Sequence, residues 1–261
     1  TLDRLLGRLR KHVRVGRMHD GMGELHAAPL VRQLASALAH LHRIGIAHRN
    51  VNPSNILFVD GVDGARDRVK LCDFTCAVVC HGAPLKDRAD TPIEYQAPEL
   101  AKLQLTAQGE QRTYSGSAVD LWALGAVVYE MLHAVPAFVK GGATLSPDAG
   151  GGAIPSADVG TAAEIEVRIR QGLMEDDLRR TLTPAARDML QGMLAVDPAD
   201  RLSATDILHH RWIRKRASLP AAVREGAHQW GGEESRLAAK REREHPLGVP
   251  AVLQRRSRQV V

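Results

Sequence analysis

Two short stretches of the chain hold side chains that could do chemistry. The first is H-R-N-V-N-P-S-N-I-L, His48 to Leu57, which sets a histidine, an arginine and the amides Asn50, Asn52 and Asn55 around Pro53. An amide oxygen can orient a hydroxyl, yet it is hardly basic. The second stretch carries Cys72, Cys76 and Cys80 at an even spacing of four, followed by His81. That spacing invites a metal reading, but structural zinc sites favour cysteine pairs that recur further along the chain, and none recurs here. Small buried side chains are the simpler account of the three cysteines.

The elements that must position these residues are mostly helices. In P-L-V-R-Q-L-A-S-A-L-A-H-L-H-R-I-G, residues Leu30, Leu34, Leu38 and Leu41 share one helical stripe, closed by Gly45. This long helix runs into the first stretch, where Pro53 forbids continuation and the flanks turn β-like. G-V-D-G-A-R-D-R is a turn-rich link to a second short strand at V-K-L-C-D-F, so a strand–turn–strand unit follows the helix. D-R-A-D-T-P-I-E-Y-Q-A-P-E-L reads as loop. S-A-V-D-L-W-A-L-G-A-V-V-Y-E-M-L is apolar nearly all round, which predicts a buried central helix, with Ser117 as its cap. Further helices are expected at A-A-E-I-E-V-R-I-R-Q-G-L, at T-P-A-A-R-D-M-L-Q-G-M-L-A with Thr183 and Pro184 opening it, and at S-A-T-D-I-L-H-H-R-W-I.

Bulk properties narrow the class. The 261 residues are 44% apolar, enough for a folded core, and the longest apolar runs are too short and too polar to span a membrane. Three cysteines and an amphipathic rather than signal-like start fit a reducing, cytoplasmic or otherwise intracellular setting, the nucleus included. Residues 139–160 are rich in Gly, Ala, Ser and Pro and read as a flexible insertion. From Arg214 onward 11 Lys and Arg face five Glu, while the rest of the chain is near neutral. This basic tail, 214–261, reads as a solvated or single-helix appendage more readily than as a nucleic-acid contact. Its R-K-R-A-S run puts Ser218 in the setting of base-directed phosphorylation.

Five motifs in order give residues 1–213 a specific resemblance to the C-terminal lobe of Ser/Thr-type protein kinases. H-R-N-V-N-P-S-N resembles the catalytic loop, Asp73–Thr75 the metal-binding D-F-G, and Ala97–Glu99 the A-P-E that closes an activation segment. D-L-W-A-L-G, with Asp120 and Trp122, resembles the buried anchoring helix, and D-P-A-D-R-L-S-A-T-D-I-L-H-H-R-W the closing helices. The fold implied is mainly α, with a small β unit at the catalytic loop. The small lobe that precedes it in kinases, with its Gly-rich loop and strand lysine, has no counterpart in these residues.

The resemblance implies ATP and Mg²⁺ as cofactors, with Asn55 and Asp73 as metal and nucleotide ligands, since hard cations take oxygen donors. His48 and Arg49 belong to the loop, Asp120 would hold it through backbone N–H groups, and Glu99 would pair with Arg201. In kinases Arg49's position usually meets a phosphate, yet no Ser, Thr or Tyr lies between Cys76 and Asp90.

The departures bear on activity. Asn50 stands where the family has its catalytic Asp, Asn52 where it has a Lys facing the transferring phosphate, and Thr75 where it has a Gly. A β-branched residue there would stiffen the motif. Thr91 lies one residue farther from Glu99 than the family pattern has it. These changes point to a catalytically impaired kinase-like module with a protein substrate or regulatory protein as partner, and with neither membrane nor nucleic acid. Two alternatives stay open: an active Ser/Thr kinase whose small lobe lies outside this sequence, and a docking module that binds no nucleotide.

Overall fold

Leu2, Leu6 and Leu9 recur at helical spacing and are all buried, which fixes the inner face of α1 (Leu2–Arg14). The following helix, α2 (Glu24–Arg43), begins six residues before Leu30, the start of the apolar stripe, and takes Pro29 into its early turns. Its stripe is as expected: Leu30, Leu34 and Leu38 are buried and Leu41 packs half-buried against the core. Ile44 ends it and Gly45 turns the chain at φ +80, a left-handed conformation that glycine reaches without a Cβ penalty.

Four short strands follow. β1 (Ile46–Ala47) pairs antiparallel with β4 (Val78–Val79), and β2 (Ile56–Val59) with β3 (Arg68–Leu71) in the register Ile56 to Leu71 and Val59 to Arg68. The β2–β3 hairpin is the strand unit anticipated from sequence. The β1–β4 pair was not anticipated, because two-residue strands carry no readable alternation. A 3₁₀ turn (Pro53–Asn55) leads into β2, and another (Ile93–Tyr95) precedes α3 (Pro98–Leu103).

The centre is α4 (Gly116–His133), in which all residues are buried but Ser117. Its cap is Ser115, not Ser117: the Ser115 hydroxyl accepts the Ala118 N–H at 3.3 Å, and the helix starts two residues earlier than a cap at Ser117 would set it. Then come α5 (Ala162–Gln171), α6 (Pro184–Met193), α7 (Ala204–His209) and α8 (Arg211–Ala217). Thr183 caps α6 with Pro184 in its first turn, and Ser203 with Asp206 forms a reciprocal capping box on α7. The chain breaks at His210, so the last expected helix is two.

The computed structural model describes residues 1–14, 21–59, 68–87, 91–103, 113–139, 162–174, 177–178 and 181–217, all within one unit, Thr1–Ser218. The 139–160 insertion (save Val139, which is buried), the 60–67 link, Ser218 and the tail beyond residue 217 lie outside them. Among the described residues no helix is long and apolar enough to cross a membrane. The three cysteines are free thiols, and each is half-buried rather than buried, because they lie on the open hairpin and the segment after it.

Beneath this frame Arg201 forms a two-pronged pair with Glu99, at 2.8 and 3.1 Å, and donates also to the Ala118 and Ala195 carbonyls. Its guanidinium lies 5.1 Å from the centroid of the Trp122 ring, which stacks in turn on Phe138. This cluster ties α3, α4 and the start of α7 together. Removing one partner of a buried pair strands the other. Glu99→Ala should therefore lower unfolding free energy by about 3 kcal/mol, the low end of the range of about 3–5 kcal/mol, since two carbonyls still hold Arg201. Glu99→Leu with Arg201→Met should recover part of that loss in urea unfolding. Ser115→Ala should cost about 1 kcal/mol, and Ser117→Ala less than about 0.5 kcal/mol; equal effects would return the cap to Ser117.

Candidate functional site

The loop His48–Asn55 leaves β1 and cannot remain helical at Pro53, so its backbone groups need partners from elsewhere. Asp120 of α4 supplies two. Its carboxylate, 1% exposed, accepts the His48 N–H at 2.9 Å and the Arg49 N–H at 2.6 Å, and also His42 Nε2 at 2.9 Å. Arg49 adopts φ 60, which costs a non-glycine residue roughly 1–3 kcal/mol and persists because both of its neighbouring amides are held.

Arg49 is bonded through its backbone N–H and carbonyl and through two of its guanidinium nitrogens. Its carbonyl accepts the Thr91 hydroxyl at 2.7 Å. Its side chain donates to the Cys76 carbonyl at 2.7 Å, to Asp87 Oδ2 at 2.5 Å and to the Tyr114 hydroxyl at 3.0 Å. Burial works against the Arg49 charge, but the hydrogen bonds to Asp87 and Tyr114 outweigh it and hold the guanidinium pKa above its ordinary value.

The three amides form one network. Asn52 Oδ1 accepts the Ser54 N–H at 2.9 Å, which turns its Nδ2 toward Asn50. That Nδ2 donates to Asn50 Oδ1 at 2.8 Å and to the Asn50 carbonyl at 3.2 Å, and Asn55 Nδ2 reaches the same carbonyl at 2.9 Å. Both oxygens of Asn50 are thus engaged by its own loop. His48 Nε2 donates to the Cys72 carbonyl at 3.1 Å, so Nδ1 is left as the acceptor for the Asn50 N–H at 3.3 Å.

Asp73 joins this group from the hairpin. The Cys72 N–H donates to the Asn55 carbonyl at 2.9 Å, one rung beyond the Ile56–Leu71 pair, so Asn55 and Asp73 end adjacent strands. Asn55 is buried and Asp73 exposed, and the Phe74 ring meets the His48 ring edge-on at 4.9 Å. Asp73 adopts φ 61 and its Oδ1 accepts from Thr75, at 2.6 Å from the hydroxyl and 3.3 Å from the N–H. These two bonds from Thr75 lower the Asp73 pKa below the ordinary carboxylate value. Among the described residues nothing donates to Asp73 Oδ2 or Asn55 Oδ1. Glu99, Trp122 and Arg201 form the separate cluster under the fold and contribute no atom to this one.

Sequence reasoning missed His42, Tyr114 and Asp87. For Asp87 a signal existed: the segment without hydroxyls, 76–90, keeps two acids, Asp87 and Asp90. The other two are single residues on elements whose approach only the fold decides.

The model of the protein kinase domain matches residues 6–213, four-fifths of the chain. The chain belongs to the protein kinase family. It is 31% identical to a probable serine/threonine-protein kinase, fhkE, of Dictyostelium discoideum, over 76% of this chain and 25% of that protein. It is 32% identical to ribosomal protein S6 kinase 2 alpha of Xenopus laevis, over 76% and 24% respectively. MAP kinase-activated protein kinase 5 of Mus musculus is 31% identical, over 77% and 41%. The chain thus spans a quarter to two-fifths of the length of these Ser/Thr kinases.

Kinases of this family use ATP and Mg²⁺, and the donor set suits a hard cation: one carboxylate oxygen and one amide oxygen, neither accepting a hydrogen bond among the described residues, at the end of one hairpin. Thr75 controls the carboxylate. The folded chain favours ionised Asp73, a preference present at neutral pH and lost as pH falls through the lowered value. Thr75→Val removes the hydroxyl donor, so an NMR pH titration of the Asp73 carboxyl should give a higher midpoint than in the parent chain. An unchanged midpoint would mean that Thr75 does not hold it.

Proposed function

We propose that this chain is a kinase-family module that retains the oxygen ligands of a Mg-ATP site and has lost the proton-transfer function of its catalytic loop, a pseudokinase. The observation that carries this reading is the Asn50–Asn52 hydrogen bond at 2.8 Å. A substrate hydroxyl about to attack a phosphoryl group needs an acceptor for its proton. Asn50 is not basic: its amide Oδ1 already accepts from Asn52 Nδ2 and cannot take up a proton at neutral pH, and its own Nδ2 can only donate. Asn52 carries no charge to offset the negative charge that develops on the transferring group.

Mg²⁺ bound with ATP would supply charge neutralisation across the phosphates. The residues suited to hold it are Asp73 and Asn55, with Thr75 keeping the carboxylate ionised and His48 fixing the Cys72 carbonyl next to Asp73. What remains is binding without efficient transfer, and the output of such a module is a protein–protein contact with a regulatory partner or a captured substrate.

The test is made on the full chain in two measurements. Unfolding monitored with Mg-ATP at 100 times its dissociation constant should rise by about 2.7 kcal/mol. No rise, together with no change on Asp73→Ala, would favour the docking module that binds no nucleotide. Radiolabelled phosphoryl transfer should be near background in the parent chain and increase about 10²–10⁴-fold in Asn50→Asp with Asn52→Lys. Robust transfer by the parent chain would make it an active kinase and refute the reading.

A further inference from the structure

The segment from Cys76 to Asp87 is not held by burial. Val79 is 64% exposed, Val78 and Leu85 are only partly covered, and a two-residue strand gives it little sheet. Beyond Leu85, which packs half-buried against the core, its contacts are polar. The Cys80 and His81 N–H groups donate to the Gly45 carbonyl at 2.8 and 3.0 Å, and Leu85 exchanges two backbone hydrogen bonds with Tyr114 at 2.9 and 3.0 Å.

Both ends of this segment close on one cation. Arg49 Nε donates to the Cys76 carbonyl, while its NH1 meets Asp87 Oδ2 and the Tyr114 hydroxyl. Tyr114 in turn donates to the Asp87 carbonyl at 3.0 Å. The Arg49 side chain is 9% exposed and the Asp87 side chain 59%. A guanidinium so enclosed needs an anion, because a buried charge without a partner is strongly unfavourable. No residue from Cys76 to Asp90 can be phosphorylated on a hydroxyl, so the anion is one the chain encodes.

We propose that Asp87 is a built-in counter-ion that locks this segment against the catalytic loop, making its closed arrangement constitutive rather than switched on by a modifying enzyme. The lock reaches the loop directly, since the same Arg49 receives the Thr91 hydroxyl at its carbonyl and is anchored at its N–H by Asp120. Nothing in the lock depends on nucleotide binding or phosphoryl transfer, so it stands or falls apart from the pseudokinase reading.

Amide hydrogen exchange on the full chain tests it, read at Cys80, His81, Leu85 and Tyr114. The parent chain should show protection that phosphatase treatment leaves unchanged. Asp87→Ala should exchange at these amides at least tenfold faster, and Asp87→Glu should restore protection to within a few-fold. Added inorganic phosphate should restore it saturably in Asp87→Ala, because a free anion can take the vacated place at Arg49, and should do nothing in the parent. Unchanged exchange in Asp87→Ala, or loss of protection that neither Glu nor phosphate repairs, would overturn the proposal, as would phosphatase-sensitive protection in the parent.

Discussion

A carboxylate buried in a helical core is unfavourable unless every lone pair that matters finds a donor. Asp120 meets that condition with three, the His48 and Arg49 amides and the His42 ring. The exchange is mutual. The loop after β1 has backbone amides that no strand or helix satisfies, and Asp120 has charge that no solvent reaches. Each resolves the other's cost, and the left-handed turn at Arg49 is held as a consequence. With that turn released, Arg49 could not present its side chain to Cys76 and Asp87 while its carbonyl faces Thr91.

The anchor rests on a helix, α4, packed on nearly every side. Its residues are buried on all faces, and Arg201 ties it through the Ala118 carbonyl to Glu99 of α3 and to the chain before α7. Close-packed interiors transmit displacement rather than absorb it. A loop hung on this helix by two amides therefore inherits its rigidity. The hairpin joins the same loop by another route, through Cys72 and Asn55, and brings Asp73 to it from a different part of the sequence.

On this rigid base the polar chemistry divides in two. The oxygens Asn55 Oδ1 and Asp73 Oδ2 accept no hydrogen bond among the described residues. The loop amides Asn50 and Asn52 are bonded to each other. Two neutral amides can satisfy one another without the field that a carboxylate and an ammonium would set up. Thr75 follows the same logic: its hydroxyl stabilises one placement of Asp73, where a glycine would leave the motif freer to turn.

Much of the fold was legible in the residues. Leu30, Leu34 and Leu38, the all-apolar run of α4, the Thr183–Pro184 opening and the hairpin that follows Pro53 are local patterns whose period or stereochemistry dictates one outcome. The cap of α4 was misplaced by two residues, since Ser115 and Ser117 are chemically equivalent and only the Ala118 N–H decides between them. The β1–β4 pair, the partial exposure of the cysteines and the break at His210 depend on neighbours far away in sequence. So do the partners of Arg49: Asp120 lies 71 residues on, Tyr114 lies 65 and Asp87 lies 38. The sequence alone determined which chemistry was possible here, because it set the side chains at each position. Only the tertiary structure decided which of those groups meet, because hydrogen bonds form at about 3 Å in space whatever the separation along the chain.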